Sequence, residues 1–172
     1  MATLRVGKCY RKVTRPFTRK SKVKAKSYIK AIPTNRIVRY SMGNVKEKFQ
    51  YEITLVSKDK VQIRHNALES TRLIVNRQLQ LKLGNNYYFQ IRTYPHQVLR
   101  ENKMLSGAHA DRLQTGMAHS FGKSMGLAAQ VKKGKTIFSL KVNKDNLEIA
   151  KTALKKATPR LPCKCLIEVK KI

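Results

Sequence analysis

Acidic residues are scarce in this sequence: 9 Asp plus Glu stand against 38 Lys plus Arg, for a formal net charge of +29 at pH 7. So much positive charge in one chain raises self-repulsion, which a polyanionic partner or high salt relieves. Long apolar runs are missing too. No stretch reaches the roughly 18 apolar residues of a spanning helix, and the most apolar helical stretch carries little Lys or Arg, which argues against a membrane-surface helix. Nucleic acid is therefore the expected partner, and no membrane. Cysteine is limited to Cys9, Cys163 and Cys165, an odd number that does not read as a disulfide framework. No basic start, apolar run and small-residue cleavage site occur together, so secretion is not expected. Residence in the cytoplasm is the favoured reading. A basic, acid-free opening also fits a mitochondrial presequence, which stays open as the alternative.

What is present suffices for a core. The 172 residues with 41% hydrophobic content fit a single domain of ordinary size. Up to Lys30 the chain holds eleven cations and no acid. Its apolar residues keep neither the helical nor the strand period for long, so residues 1–35 read as a basic RNA-binding arm laid along phosphates. A solvated tail is the plainer alternative. The arm's candidate contacts are Arg5, Lys8, Tyr10, Arg11, Lys12, Arg15, Arg19, Lys20, Lys22, Lys24, Lys26 and Lys30. Tyr10, Phe17 and Tyr28 are available to stack on bases.

Residues 36–172 read as one α+β domain. Strands are expected at Ile37–Met42, Tyr51–Val56 and Val61–His65, with turns at Gly43-Asn44 and Lys58-Asp59-Lys60. A helix follows, with Asn66 as cap, Glu69 completing a capping box, Leu68, Val75, Leu79 and Leu83 on one face, and Gly84-Asn85 as its stop. Tyr87–Tyr94 and Gln97–Glu101 read as further strands. Leu127–Val131 and Thr136–Val142 read as a hairpin-like pair whose basic tip, Lys132, Lys133 and Lys135, projects from the sheet. A second helix, capped by Asn143 and ended by Pro159, buries Leu147, Ala150, Leu154 and Ala157; Cys163–Val169 is the last strand. The expected architecture is two helices packed on a largely antiparallel sheet, with the basic arm and one long internal loop.

That loop, residues 102–126, has four glycines and no sustained period. A loop of this length inside a domain is either functional or disordered. It contains Ala108-His109-Ala110-Asp111-Arg112-Leu113-Gln114-Thr115-Gly116-Met117, flanked by Lys103 and Lys123, a mix of small residues and polar donors that allows close approach to RNA sugar and phosphate. Gly122-Lys123-Ser124 is no phosphate-binding P-loop, because five residues separate Gly116 from Gly122 where four are needed. Cys163 and Cys165 alternate on a strand and read as small buried hydrophobes, not metal ligands. No metal, cofactor or homo-oligomer is expected. A catalytic use of His109, Asp111 and His119 lacks the scaffold that a nucleophile, a base and an orienting group require. An RNA-cleaving or RNA-modifying enzyme built on that loop, or a free nucleic-acid chaperone, are the rival readings.

Cys9-Tyr10-Arg11, Ile32-Pro33, the run from Tyr94-Pro95-His96 through Lys103-Met104-Leu105, Ala110 to Met117, and Phe121-Gly122-Lys123 together resemble, in order, the ribosomal protein family called L-ten-e in archaea and eukaryotes and L-sixteen in bacteria. The wording is nearer the archaeal form. The resemblance covers essentially the whole chain. It implies a hammerhead-type α+β body on large-subunit ribosomal RNA near the transfer RNA cleft, neighbouring ribosomal proteins as partners, and a role in translation and late subunit assembly, with no enzymatic activity. By the same resemblance Lys103, Asp111, Arg112, Leu113, Gln114, Thr115, Gly116, Met117 and Lys123 form a loop directed at the peptidyl transferase centre and, transiently, the acceptor end of transfer RNA. Ala118-His119-Ser120 and Ser124 depart from the family's usual Arg-Gly-Ala and Pro, removing a charge and a turn constraint.

If about six to ten phosphates are contacted, RNA affinity should fall by roughly a thousandfold or more between low and moderate salt. Replacing the arm's Lys and Arg by Gln should flatten that dependence in a binding titration; an unchanged slope would contradict the electrostatic reading.

Overall fold

Apolar residues every second position make Tyr51–Ser57 a strand with Ile53 and Leu55 fully buried, the pattern of a sheet that hides one face. The computed structural model describes residues 5–13, 23, 25, 29, 31–102 and 122–172. Its elements are β1 (Ser41–Gly43), β2 (Tyr51–Ser57), β3 (Val61–Arg64), α1 (His65–Leu83), β4 (Tyr88–Ile91), β5 (Gln97–Glu101), β6 (Lys123–Val131), β7 (Thr136–Val142), α2 (Leu147–Ala157) and β8 (Cys165–Lys171). The α+β class is as expected. The expected single sheet is two: a five-stranded sheet in the order β1-β4-β7-β2-β8 and a three-stranded sheet in the order β3-β6-β5, with every pairing antiparallel. Among the described residues, no helix is long and apolar enough to cross a membrane.

Four connections therefore pass from the larger sheet to the smaller or back: β2 to β3, β3 to β4 by way of α1, β4 to β5, and β6 to β7. This corrects the hairpin reading of 127–142. β6 pairs with β3 and β5, and β7 with β2 and β4, so the turn between β6 and β7 joins two sheets. A further correction concerns the long loop: β6 begins at Lys123, pairing back along β5, so residues 123–126 are strand.

The two helices pack on each other; α2 lies against β2 and β7, and α1 against β3 and β6. Leu68, Val75, Leu79 and Leu83 of α1 are buried, as their spacing requires, with Ala150, Ala153, Leu154 and Ala157 from α2. Phe89 and Phe138 meet at 5.5 Å between ring centroids in the middle of this core. The capping box does not form. Helix α1 starts two residues earlier than a cap at Asn66 implies, at His65, and Arg64 precedes it without a side-chain cap. Glu69 is instead drawn to Arg72, which donates through Nε and Nη2 at 2.8 and 2.6 Å, a two-pronged pairing that suits a buried guanidinium. Asn143 likewise gives no side-chain cap; it precedes a short 3-10 turn, Lys144–Asn146, that leads into α2. The strand expected at 37–42 is confined to Ser41–Gly43, because residues 35–39 run across the start of α1, bound through Arg36 N–H to His65 Nδ1 and Val38 N–H to Glu69.

Gly43 and Gly134 both have positive φ, +85° and +78°, but differ in surroundings. A Cβ on Gly43 would sit 2.1 Å from the Tyr87 carbonyl oxygen, whereas one on Gly134 would meet nothing within 4 Å. Gly134→Ala should cost about 1–2 kcal/mol, the ordinary left-handed penalty. Gly43→Ala should cost about 3 kcal/mol or more, since β1 must move off β4. Urea denaturation of the two variants checks this; equal losses would show that β1 does not depend on that close approach.

Candidate RNA-binding surface

Lysine tips are built by backbone bonds at the sheet-to-sheet connections. Ser57 N–H donates to the Lys135 carbonyl (3.1 Å) and Gly134 N–H to the Ser57 carbonyl (2.8 Å), which clamps the 132–135 turn onto the end of β2. Lys58 N–H donates to the Lys164 carbonyl (2.9 Å), and Lys164 N–H to Asp59 Oδ2 (3.1 Å). Ser57 Oγ closes the turn by donating to the Asp59 carbonyl at 2.8 Å. Lys132, Lys133 and Lys135 are thereby brought together with Lys58, Lys60 and Lys164, all exposed, around one carboxylate. The last three were not singled out from sequence. Lys58 and Lys60 flank one turn and Lys164 lies more than a hundred residues on, and only the folded chain unites them.

Part of the basic arm is attached to the body. Residues 5–13 lie along β3, the edge of the three-stranded sheet, where Gln62 N–H donates to the Arg11 carbonyl (2.9 Å) and Gln62 Nε2 to the Tyr10 carbonyl (3.0 Å). Covering an open strand edge in this way satisfies backbone groups that would otherwise template aggregation. Arg64 donates to the Arg5 carbonyl (3.1 Å) and its guanidinium stands 5.5 Å from the centre of the Tyr10 ring, within cation–π range. Burial, then the nearby Glu101 carboxylate, raises the Tyr10 hydroxyl above its ordinary value. Arg5 Nε donates to Glu101 Oε1 at 2.8 Å; Glu101 is 6% exposed and Arg5 48%. Arg5, half exposed, thus ties the arm to the body, and Lys8, Arg11 and Lys12 are exposed cations of the same segment.

Between the arm and the 35–40 segment sits His65, buried, with Nδ1 accepting from Arg36 N–H at 3.4 Å. Burial, with Arg36 and Arg64 alongside, pushes its imidazole down, in keeping with Nδ1 acting as an acceptor. Gly126 passes it closely: a Cβ there would lie 3.3 Å from His65 Nε2. An aromatic stack was also missed. Tyr40 and Tyr94 stack at 5.5 Å with 19° between planes, and His96 lies 4.6 Å from Tyr94, the latter two exposed. Their 54-residue separation hid the stack, although Tyr94 and His96 stand in a run already singled out.

Lys123 stands opposite Glu101 across β5 and β6, at the root of the long loop, and on a strand it cannot belong to a phosphate-cradling turn. Arg15, Arg19, Lys20, Lys22, Lys24, Lys26 and Lys30 of the arm, with Phe17 and Tyr28, lie outside the described residues, as do Lys103, His109, Asp111 to Met117, and His119. Cys163 and Cys165 do share one face, with Sγ atoms 3.6 Å apart. Among the described residues, no group of three or more His, Cys, Asp or Glu is placed to hold a metal ion.

Comparison with known proteins adds the following. The model of the family described as ribosomal protein L16p/L10e matches residues 13–168. The chain is 49% identical over 170 residues to the large ribosomal subunit protein uL16 of Methanococcus aeolicus, covering 98% of this chain and 95% of that protein. It is 45% identical to uL16 of Sulfolobus acidocaldarius, with 96% and 93% covered, and 44% identical to that of Staphylothermus marinus, with 92% and 89% covered.

Arg5→Gln should lower stability by about 1 kcal/mol, the smaller end for a charged hydrogen bond because Arg5 is half exposed. It should also speed amide exchange at Gln62, whose N–H is held by the arm. Unaltered exchange at Gln62 would show that the arm docks without this ion pair.

Proposed function

Because this chain belongs to the ribosomal protein L16p/L10e family, a family of structural constituents of the large ribosomal subunit of the cytoplasmic ribosome, we propose that it binds large-subunit ribosomal RNA through two basic surfaces. One is the six-lysine cluster at the sheet crossings. The other is the arm, whose exposed Lys8, Arg11 and Lys12 are presented by the docked 5–13 segment and whose remaining cations extend the same contact. The observation that carries this reading is the lysine cluster: four backbone or carboxylate bonds hold three separate chain segments so that their cations converge. Such convergence raises local potential against the fold's own interest, and a polyphosphate partner supplies the compensating charge.

The long loop rooted at Glu101 and Lys123 is proposed to reach toward the peptidyl transferase centre and the acceptor end of transfer RNA, with Lys103 at its base and Asp111 to Met117 at its tip. Neighbouring ribosomal proteins are further partners, the chain enters the particle as a single copy, and it supports late assembly of the subunit. Catalysis is not part of the proposal.

Sucrose-gradient sedimentation of cell extract tests it. The protein should travel with the large subunit and remain through moderate salt washes. Replacing Lys58, Lys60, Lys132, Lys133, Lys135 and Lys164 by Gln should release it at lower salt, with the log–log salt slope for RNA binding smaller by several units, about 0.7–0.9 per lost phosphate contact. A protein found only at the top of the gradient would overturn the reading.

A further inference from the structure

A groove of about 500 Å³ lies along α1, lined by residues that belong neither to the lysine cluster nor to the docked 5–13 segment. Its rim carries three guanidiniums from three parts of the chain: Arg36 from the segment crossing the start of α1, Arg77 from α1 itself, and Arg160 from the 3-10 turn after α2. Its floor is apolar, formed by Leu73, 54% exposed, and Ile74. Asn66 and Ser70 supply side-chain donors and acceptors, and Arg160 Nη1 donates to Ser70 Oγ, which fixes the guanidinium over the groove. The one carboxylate present, Glu69, is spoken for: Arg72 takes both its oxygens and Val38 N–H adds a third bond. Arg72 also holds that carboxyl below its ordinary range through the hydrogen bonds it donates.

We propose that this groove is a seat for one unpaired nucleotide of RNA, with the phosphates on Arg36, Arg77 and Arg160 and the base on the Leu73–Ile74 floor. The inference rests on the ribosomal RNA reading above and adds a nucleotide-sized site to it. An apolar floor distinguishes the groove from the lysine cluster. A duplex backbone presents only sugar and phosphate, whereas an unstacked base brings an apolar face that this floor would cover. Planar guanidiniums pair two oxygens of a phosphate at once, which lysines do not. The volume lies in the range of pockets that enclose small organic ligands. The Asp and Glu side chains of an acidic peptide share the charge but have no flat apolar group to fill the floor between the arginines.

The site can be probed in two steps, both with the full chain. Titrating adenosine monophosphate and uridine monophosphate into isotope-labelled protein should shift the amides of Asn66, Ser70, Leu73 and Arg77 in saturable fashion, while inorganic phosphate should leave Leu73 unmoved. If phosphate alone reproduces the whole pattern, or neither mononucleotide perturbs α1, the nucleotide seat is wrong. A photo-reactive phenylalanine analogue in place of Leu73 should then cross-link to RNA in isolated large subunits. Arg36→Gln/Arg77→Gln/Arg160→Gln should cut the yield at least tenfold and lower the salt slope for single-stranded RNA by about 2, at about 0.7 per contact. An unchanged urea midpoint shows that the triple variant is folded; should it unfold, Arg77→Gln alone, fully on the surface of α1, carries the same test with a smaller change. Cross-linking to a protein, or to nothing, in subunits that do contain the chain overturns the groove proposal while leaving the ribosomal reading intact. Absence of the chain from large subunits removes both.

Discussion

The lysine cluster that this molecule offers to a polyanion depends on backbone hydrogen bonds that tie the end of β2 to the turns leading into β7 and β8. Ser57 both donates to Lys135 and accepts from Gly134, and the next residue, Lys58, donates to Lys164. The lysine side chains themselves repel one another and contribute nothing to holding that end of the fold closed. Peptide groups do it instead, neutral and directional, so the arrangement persists whatever the ionic strength. Charge can then be placed where RNA needs it and not where the fold would choose.

Local pattern was enough to read much of this. The α1 face of Leu68, Val75, Leu79 and Leu83, the alternation in β2, β5 as a strand, and the apolar face of α2 all follow from the period of burial, which a short window contains. Pairing is not contained in it. β6 and β7 are adjacent, short and separated by a Gly-bearing turn, every mark of a hairpin, yet each finds its partners far along the chain, β6 with β3 and β5 and β7 with β2 and β4. The Asn66–Glu69 spacing likewise satisfied the capping box, but a buried Arg72 one turn on offered Glu69 a charged partner and won it.

The interface was legible to the degree that its cations were consecutive. Lys132, Lys133 and Lys135 announce themselves; Lys58, Lys60 and Lys164 do not, because their meaning comes from the sheet crossings. The same holds for Arg36, Arg77 and Arg160, drawn from three elements to one groove, and for Tyr40 beneath Tyr94. Arg5 differs in the other direction. Its place in a basic run marks it as a phosphate contact, and the structure gives it a second partner that the run does not announce, the Glu101 carboxylate.

That ion pair points to how the few acids are used. Of the 9 acidic residues, four hold chain segments in place: Glu101 takes Arg5 of the arm, Glu69 takes Arg72 and the backbone of Val38, Asp59 takes the backbone of Lys164, and Glu47 takes the side chain of Asn44. Glu69 and Glu101 are shielded from solvent, and all four have a short-range partner, so they do little to neutralise the exposed lysines and arginines at a distance. A protein that needed to be comfortable alone would place its carboxylates among its surface cations. This one spends them on attaching basic segments to the body, which fixes the geometry of the positive surface while leaving its charge uncompensated. The deficit of acids is therefore part of the recognition chemistry: each cation left unpaired in the free protein is one that can release a counterion when RNA arrives.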